Sequence, residues 1–444
     1  MKGLKIFGAV LVILICAVLV AFAGFFLWSA LPRERQEPAV LSTEQLFQAQ
    51  AEDAAETLPE APEPAAEEPE PVPEEPAEEL PEEPPEEIPE EPVEEENPYA
   101  EQARAYLETM TPEEKLWQLF LVTPESLTDT GTVTLAGDTT KAALEARPVG
   151  GVCYFAPNLV DRTQTQTMLS GIQSYAKTPL FLAVDEEGGL VSRVGANEAM
   201  GTTYFEAAAN YGQRADLAEV YNVGKTMAQE LGELGFNLDF APVADVITNP
   251  NNTEIGSRAY SNDPEVAAPL VGAMVEGLQR SGMAACLKHF PGHGSTEADS
   301  HQGKSVSTRT LEQLRETEWV PFRAGIEKGV AFVMVGHQTN ENLSGLPASL
   351  SPEVMGYLRE ELGFDGLIIT DSLRMGAIIG EYTSAQAAVM AISAGADMLL
   401  MPNDLPTAFQ GLQAALADGT LTQERIDESV LRILETKYRC GIME

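Results

Sequence analysis

The chain of 444 residues carries 27 Lys and Arg side chains against 69 Asp and Glu, for a formal net charge of −42. Binding to nucleic acid requires clustered cations that face the phosphates, so this balance excludes a general nucleic-acid binder. The acids are also unevenly placed, because residues 51–96 contain 21 of them and no Lys or Arg.

The chain begins with a long apolar run over residues 6–31, in which Ser29 is the only polar side chain. About 20 apolar helical residues cross a bilayer, so we predict a transmembrane signal anchor over 6–31 behind a cytoplasmic head of residues 1–5. The rest of the protein would then lie on the extracytoplasmic face of the cell membrane. A cleaved signal peptide ending near Ala21-Phe22-Ala23 is the alternative, and the protein would then be secreted.

Residues 32–97 predict a disordered, acidic Pro/Glu-rich spacer. Pro-Glu-Glu units repeat along this segment, for example over residues 81–87. Low hydrophobicity and repulsion between like charges cannot offset the entropy of ordering such a chain. Proline and charge both extend it, so we expect the spacer to hold the following domain away from the membrane.

From residue 98 to 444, short apolar runs alternate with segments of helical period. Eight such runs with crossover helices predict an α/β fold, a single parallel (β/α)₈ barrel. A doubly wound open sheet is the runner-up, but no glycine-rich phosphate loop follows the first run. The predicted strands are Leu119–Val122, Gly151–Phe155, Leu180–Val184, Phe236–Phe240, Ala284–Leu287, Ala331–Val335, Leu367–Thr370 and Met398–Met401.

Polar side chains collect where these predicted strands end, which is where a barrel of this type places its active site. All four histidines of the chain fall at these ends or in the loop after the fifth strand. A random placement would scatter them, so the clustering favours function. The residues concerned are Asp185, Asp245, Arg258, Lys288, His289, His293, Asp299, His301, His337 and Asp371.

Each of these residues also has a simpler interpretation. Asp371 alone could cap the following helix, and His337 behind Gly336 is most simply a buried, hydrogen-bonded imidazole. His289 and His293 resemble a metal pair, but Pro291-Gly292 between them precludes the helix that would place both on one face. The three cysteines beyond the apolar run form no CxxC pair, so neither a zinc knuckle nor a disulfide framework is predicted.

The sequence Lys288-His289-Phe290-Pro291-Gly292-His293-Gly294, followed by Asp299-Ser300-His301, resembles the signature of one family. It is similar to the bacterial β-N-acetylglucosaminidase branch of glycoside hydrolase family 3, and the likeness extends from Met110 to the C-terminal helix. The resemblance implies a (β/α)₈ barrel and no cofactor. One departure is Glu186, where Gln is commoner after the strand-three Asp.

The resemblance also implies roles for seven residues. Asp371 matches the nucleophile that forms a covalent glycosyl-enzyme, His301 matches the acid/base, and Asp299 matches the partner that orients His301. Residues matching the ligands of the terminal sugar are Asp185, Arg258, Lys288 and His289. The expected partners are a glycan that contains N-acetylglucosamine and, through the N-terminal helix, the membrane.

The expected function is therefore a retaining β-N-acetylhexosaminidase that acts on cell-wall or related glycans. Three alternatives stay open at this point. The intermediate could be resolved by phosphate instead of water, the barrel could be an inactive glycan-binding or wall-tethering protein, or the histidine cluster could serve a metal-dependent hydrolase.

Overall fold

The computed structural model of the protein describes residues 98–296 and 303–444. The predicted head, membrane segment and spacer (1–5, 6–31 and 32–97) lie outside these residues. Asp299 and His301 do as well. Within the described ranges, no helix combines the length and the apolar character that a membrane crossing requires.

Eight parallel strands form a nearly closed barrel. Each strand pairs with the next along the chain, from β1 with β2 to β6 with β7, and β8 pairs with β1. Between β7 and β8 the described residues form only a single bridge, from Ile369 of β7 to Met398, so the barrel is nearly closed. The strands are β1 Phe120–Val122, β2 Gly151–Tyr154, β3 Phe181–Val184, β4 Leu238–Asp239, β5 Ala284–Phe290, β6 Phe332–Val335, β7 Leu367–Thr370 and β8 Leu399–Leu400.

The predicted barrel is thus confirmed as a parallel, nearly closed eight-stranded architecture. Seven strands lie within the bounds of their predicted runs, and β5 contains its predicted run and extends beyond it. β5 differs most, because it continues three residues beyond Leu287. Lys288 was expected to follow the strand, yet it makes a parallel bridge with Val243, and Phe290 pairs with Val335 of β6. This extension carries Lys288 and His289 into the barrel's carboxyl end.

Helices surround the barrel, and two of them continue through a wider π turn. The α-helices are α1 Ala100–Glu108, α2 Pro112–Gln118, α3 Pro124–Thr128, α4 Asp138–Ala146, α5 Arg162–Tyr175, α6 Ala208–Arg214, α7 Leu217–Leu234, α8 Pro264–Arg280, α9 Leu311–Gln313, α10 Trp319–Glu327, α11 Pro352–Gly356, α12 Gly376–Ile379, α13 Ser384–Ala394, α14 Leu405–Asp418 and α15 Gln423–Arg439. The π turns are Leu314–Glu318, between α9 and α10, and Tyr357–Glu361, after α11. Single 3₁₀ turns lie at Ala156–Asn158, Glu198–Met200, Gly256–Arg258 and Ala348–Leu350.

The helix boundaries follow from local chemistry. Thr111 and Glu114 form a reciprocal capping box at the start of α2, in which each side chain accepts from the other residue's N–H. α7 begins at the Asp216 cap and ends where Gly235 adopts a φ of 108°, a conformation that favours glycine. Its buried face includes Met227 and Leu231, as the period predicts, whereas Leu217 is 46% exposed.

The core is continuous from the barrel interior to the helical ring. Inside the barrel, the Phe181 and Phe332 rings meet edge to face at 5.0 Å. Outside it, Trp117 stacks on Phe409 of α14 at 3.8 Å, which fastens α2 to α14. Full burial of one large apolar side chain contributes about 1.5–3 kcal/mol to the free energy of folding. This packing therefore stabilises the barrel that holds the strand ends in place.

Candidate active site

A cavity of about 330 Å³ opens at the carboxyl ends of the strands. One part of its wall is strongly charged and the other is apolar. The charged residues are Asp185, Glu187, Arg193, Glu254, Arg258, Lys288 and Asp371, and the largest apolar ones are Phe155, Phe240, Met334, Met375, Leu400 and Met401. His289 also lines the cavity. Five of the seven predicted site residues therefore meet in one pocket, and the other two are Asp299 and His301, outside the described residues.

Asp371 directly follows β7, and its backbone N–H donates to the Val335 carbonyl at 2.8 Å. Its Oδ1 accepts a hydrogen bond of 2.6 Å from the Ser372 N–H, whereas Oδ2 has no such bond with the described residues. Burial by itself would raise the pKa of Asp371. The imidazoles of His337 and His289, the Ser372 N–H and Lys288 outweigh it and hold that pKa below its ordinary value. Asp371 is thus an ionised carboxylate with one oxygen held and the other available.

Lys288 lies between two carboxylates that come from the segment after β3. Its Nζ is 2.7 Å from Asp185 Oδ1 and 2.6 Å from Glu187 Oε1. Arg258 donates to both oxygens of Glu187 at 2.8 Å each. The result is a buried network of two cations and two acids in which every charge has an opposite partner.

The pKa values of this network follow from its pairing. Burial opposes the charge on Glu187, but Lys288 and Arg258 prevail and lower the pKa of Glu187 to about 2. The pKa of Lys288 moves the other way: burial would lower it, and Asp185 and Glu187 raise it well above the ordinary value. Both groups are therefore charged near neutral pH, and the Lys288 ammonium and Arg258 guanidinium are fixed donors.

Asp245 fixes the turn that carries two histidines. Its Oδ2 accepts from His289 Nδ1 at 2.8 Å, and its Oδ1 accepts from the His293 backbone N–H at 2.6 Å. Burial would raise the pKa of Asp245, yet the two histidines hold it below its usual range. Because Asp245 occupies Nδ1 of His289, it sets the orientation of the ring that lines the pocket.

Glu186, the residue that departs from the family pattern, does not line the pocket. It is buried and accepts hydrogen bonds from the Ser192 hydroxyl and from the N–H groups of Arg193 and Val194. These bonds close a short hairpin of Glu186–Gly188 with Val191–Ser192. Burial raises the pKa of Glu186. The hairpin carries Glu187 and Arg193 to the pocket on either side of its turn.

The sequence did not single out three residues that the structure places in the pocket wall. Glu187 could have been found from the sequence, because it is an acidic residue two positions after Asp185 at the end of β3. Arg193 reaches the wall only because of the hairpin, and its Nε is buried without a hydrogen-bond partner among the described residues. Glu254 lies 3.4 Å from His293 Nε2, in the loop that precedes Arg258.

Metal binding was the third function left open by the sequence. Across residues 98–296 and 303–444, no group of three His, Cys, Asp or Glu side chains is arranged to hold a metal ion. His289 and His293 face each other edge to face at 5.8 Å between ring centroids, and Asp245 engages both residues.

An ionised carboxylate beside fixed cations, in a polar pocket at the carboxyl ends of a parallel barrel, suits a hydrolase that acts on a small polar substrate. Residues 111–436 match the family described as "Glycosyl hydrolase family 3 N terminal domain". The chain belongs to this family of glycoside hydrolases, which confirms the resemblance noted in the sequence.

Two relatives and one solved structure specify the likeness. The chain is 32% identical over 320 residues to β-hexosaminidase A of Pseudoalteromonas piscicida, a match that covers 66% of this chain but only 53% of that protein. It is 32% identical over 342 residues to the β-hexosaminidase LpqI of Mycobacterium tuberculosis, covering 74% and 83%. A family 3 β-N-acetylglucosaminidase from Paenibacillus sp. str. FPU-7 superposes with a TM-score of 0.71 at 35% identity, covering 75% of this chain and 63% of that one. The chain thus spans about half the length of the first of these relatives.

Proposed function

We propose that the protein is a retaining β-N-acetylhexosaminidase that hydrolyses terminal β-linked N-acetylglucosamine from cell-wall or related glycans. The observation that carries the proposal is the state of Asp371. Its pKa is lowered, one oxygen is held by the Ser372 N–H, and the other faces no protein donor among the described residues. A carboxylate nucleophile needs this combination of charge, fixed orientation and a free oxygen. The identity of the sugar is inferred from the matched relatives, which are named as β-hexosaminidases and a β-N-acetylglucosaminidase.

In the first step, Asp371 Oδ2 attacks the anomeric carbon and forms an ester bond while the glycosidic C–O bond breaks. We assign the proton for the leaving oxygen to His301, oriented by Asp299, on the strength of the sequence signature alone. An imidazole has an unperturbed pKa of about 6.5, so it donates and later accepts a proton near neutral pH. In the second step, His301 takes a proton from water, the water oxygen attacks the anomeric carbon, and Asp371 leaves as a carboxylate.

The charged wall of the pocket suits the hydroxyl groups of the terminal sugar. Lys288 and Arg258 would donate to sugar oxygens, Asp185 would accept from hydroxyls, and His289 would present the ring nitrogen that Asp245 leaves free. Arg193 joins this set because its buried Nε has no partner among the described residues. Donors already fixed by ion pairs hold the sugar hydroxyls with little reorganisation, so they keep the anomeric carbon within reach of Asp371 Oδ2.

The location of the protein also stays a proposal. The apolar run over residues 6–31 supports a tether that places the barrel on the extracytoplasmic face of the membrane, with secretion after cleavage as the alternative. A reporter fused after residue 97, active only outside the cytoplasm, would separate an exported barrel from one retained inside. Fractionation would then distinguish a tethered form from a secreted one.

Hydrolysis of a chromogenic β-N-acetylglucosaminide by the wild type, Asp371→Asn and Asp371→Ala tests the reaction. We expect both variants to lose at least about three orders of magnitude in kcat/KM, because the nucleophile is removed. Equal rates in wild type and variants would contradict the proposal. Identification of the products with and without inorganic phosphate distinguishes hydrolysis from phosphorolysis. Tight sugar binding without any turnover by the wild type would instead indicate an inactive glycan-binding barrel.

A further inference from the structure

His337 contacts the residue that follows the nucleophile, yet it has no part in the two steps of the proposed reaction. It follows β6, is 1% exposed, and makes two side-chain hydrogen bonds. Its Nδ1 lies 2.7 Å from Ser349 Oγ, and its Nε2 lies 2.9 Å from the carbonyl oxygen of Ser372. Ser372 is the residue whose N–H holds Asp371 Oδ1 at 2.6 Å.

The two bonds determine where the imidazole carries its proton. A carbonyl oxygen can only accept, so His337 Nε2 must be the protonated nitrogen that donates to Ser372. Burial lowers the pKa of His337, so the ring is neutral near pH 7, and Nδ1 then accepts from the Ser349 hydroxyl. Ser349 is itself fixed, because it is fully buried and its N–H donates to the Gly336 carbonyl at 2.9 Å.

We propose that His337 is a positioning residue for Asp371, which acts by holding Ser372 between two hydrogen bonds. The Ser372 carbonyl is held by His337 and its N–H is thereby aimed at Asp371 Oδ1, so that Oδ2 stays turned toward the sugar. This inference rests on the proposed function, since it assigns a task at the same site. His337 acts through Ser372 and does not touch the substrate.

The ionisable groups that face His337 are consistent with this task. Asp371 favours a proton on the ring, whereas His293 and His289 disfavour one. In return, the Ser372 N–H that His337 helps to aim at Asp371 Oδ1 is one of the groups that keep the pKa of Asp371 low. A change at His337 should therefore alter the titration of Asp371, and a residue that merely fills space would not have this effect.

Two substitutions at His337 separate these roles. His337→Leu removes the donor to Ser372, while His337→Gln retains an amide N–H that can reach the same carbonyl. We expect His337→Leu to lower the rate of glycosylation by about 100-fold with little change in KM, the loss typical of a misplaced reacting group. We also expect the acidic limb of its kcat/KM profile to move to higher pH, and we expect His337→Gln to restore most of both properties.

Glycosylation is measured by stopped flow with an aryl glycoside whose leaving group needs no proton, so that the acid/base step does not contribute. Leu412→Ala, a fully buried position on α14, controls for loss of packing and should leave the pH profile in place. A folded His337→Leu protein with an unchanged rate and acidic limb would overturn the proposal. Equal impairment of the Leu and Gln variants would do the same.

Failure of the proposed function would look different, because the wild type itself would then release no N-acetylglucosamine. The positioning role remains testable in that case by ¹⁵N NMR of the imidazoles, with His337→Gln used to assign the signal. A neutral ring protonated at Nε2 supports the proposal, and a ring protonated at Nδ1 alone overturns it.

Discussion

The ammonium of Lys288 lies 2.6 Å from the carboxylate of Glu187, with the Lys288 side chain 3% exposed and that of Glu187 5% exposed. The same carboxylate receives both donors of Arg258. One acid therefore orients two of the cations assigned to the sugar. Burying charges is unfavourable unless they are paired, so the network depends on each member, and Glu187 is its centre.

Replacing Glu187 by Gln should damage both binding and stability. We expect a KM increase of about tenfold or more, together with a loss of roughly 3–5 kcal/mol in the free energy of unfolding, because Arg258 stays buried with a neutral partner and Lys288 keeps only Asp185. Glu233→Gln is the matched control, since Glu233 pairs with Arg162 at the surface with its side chain 64% exposed. Chemical denaturation and steady-state kinetics measure the two effects. A Glu187→Gln protein that behaves like the control would show that the network is not needed.

The same pair predicts the response of the protein to acid. The pKa of Glu187 is about 2 in the folded protein, below its ordinary value of 4.5. A carboxyl with a lowered folded pKa contributes stability that is fully present above its unfolded pKa and is lost as the pH falls toward the folded one. We therefore expect Glu187→Gln and wild type to converge in stability between about pH 4.5 and pH 2. A difference that stays constant over that range would contradict the assigned pairing.

Lys437 predicts a second dependence on pH, on the alkaline side of neutrality. It is fully buried on α15, its Nζ donates to Gln118 Oε1 at 2.8 Å, and burial lowers its pKa to about 7. Between pH 7 and pH 10.5 the unfolded chain binds a proton that the folded protein lacks, so stability should rise with pH in that window. The total rise is on the order of a few kcal/mol.

Lys437→Met keeps the length of the side chain and removes the ionisable group, so it should abolish that rise. Lys141→Met, at an exposed position on α4, should leave it intact. Urea denaturation at several pH values measures the slope for each protein. If the Lys437→Met variant and the wild type show parallel stability profiles from about pH 7 to pH 10, Lys437 does not change its protonation on folding.

Arg193 tests the part of the pocket that the sequence did not reveal. Its Nε is buried without a partner among the described residues, and its guanidinium lies 5.9 Å from the centre of the Phe155 ring. If this group donates to the sugar, Arg193→Lys should raise KM by about tenfold and leave kcat nearly unchanged, because a uniform binding contact is lost. Arg162→Lys serves as a surface control. Equal KM values for the two variants would remove Arg193 from the site.

The fold was predictable because apolar runs and helix caps are local signals. β7 was placed at its observed bounds, and the Thr111 capping box and the Gly235 stop were visible in the sequence. Asp371 and Asp185 were also predictable, since each directly follows a strand, and Lys288 was predictable because it follows the apolar run of β5.

Other features depend on contacts between distant segments, which periodicity does not encode. The hairpin that brings Arg193 to the pocket is held by hydrogen bonds to the buried carboxylate of Glu186. The local sequence pattern does not predict these hydrogen bonds. The extension of β5 likewise depends on pairing with Val243 and Val335. His337 was correctly interpreted as a buried, hydrogen-bonded imidazole, but its partner Ser372 lies 35 residues away.

A covalent bond between Asp371 and the sugar is the step on which the proposed function depends. It is detected by incubating the full chain with a fluorinated N-acetylglucosaminyl donor that slows release of the intermediate, quenching in acid, and digesting for mass spectrometry. We expect a glycosyl adduct on the peptide that contains Asp371, absent from Asp371→Asn and lost when the labelled protein is left to turn over. An active enzyme that carries no adduct on that peptide, or carries it on a different residue, would contradict the role of Asp371 as nucleophile.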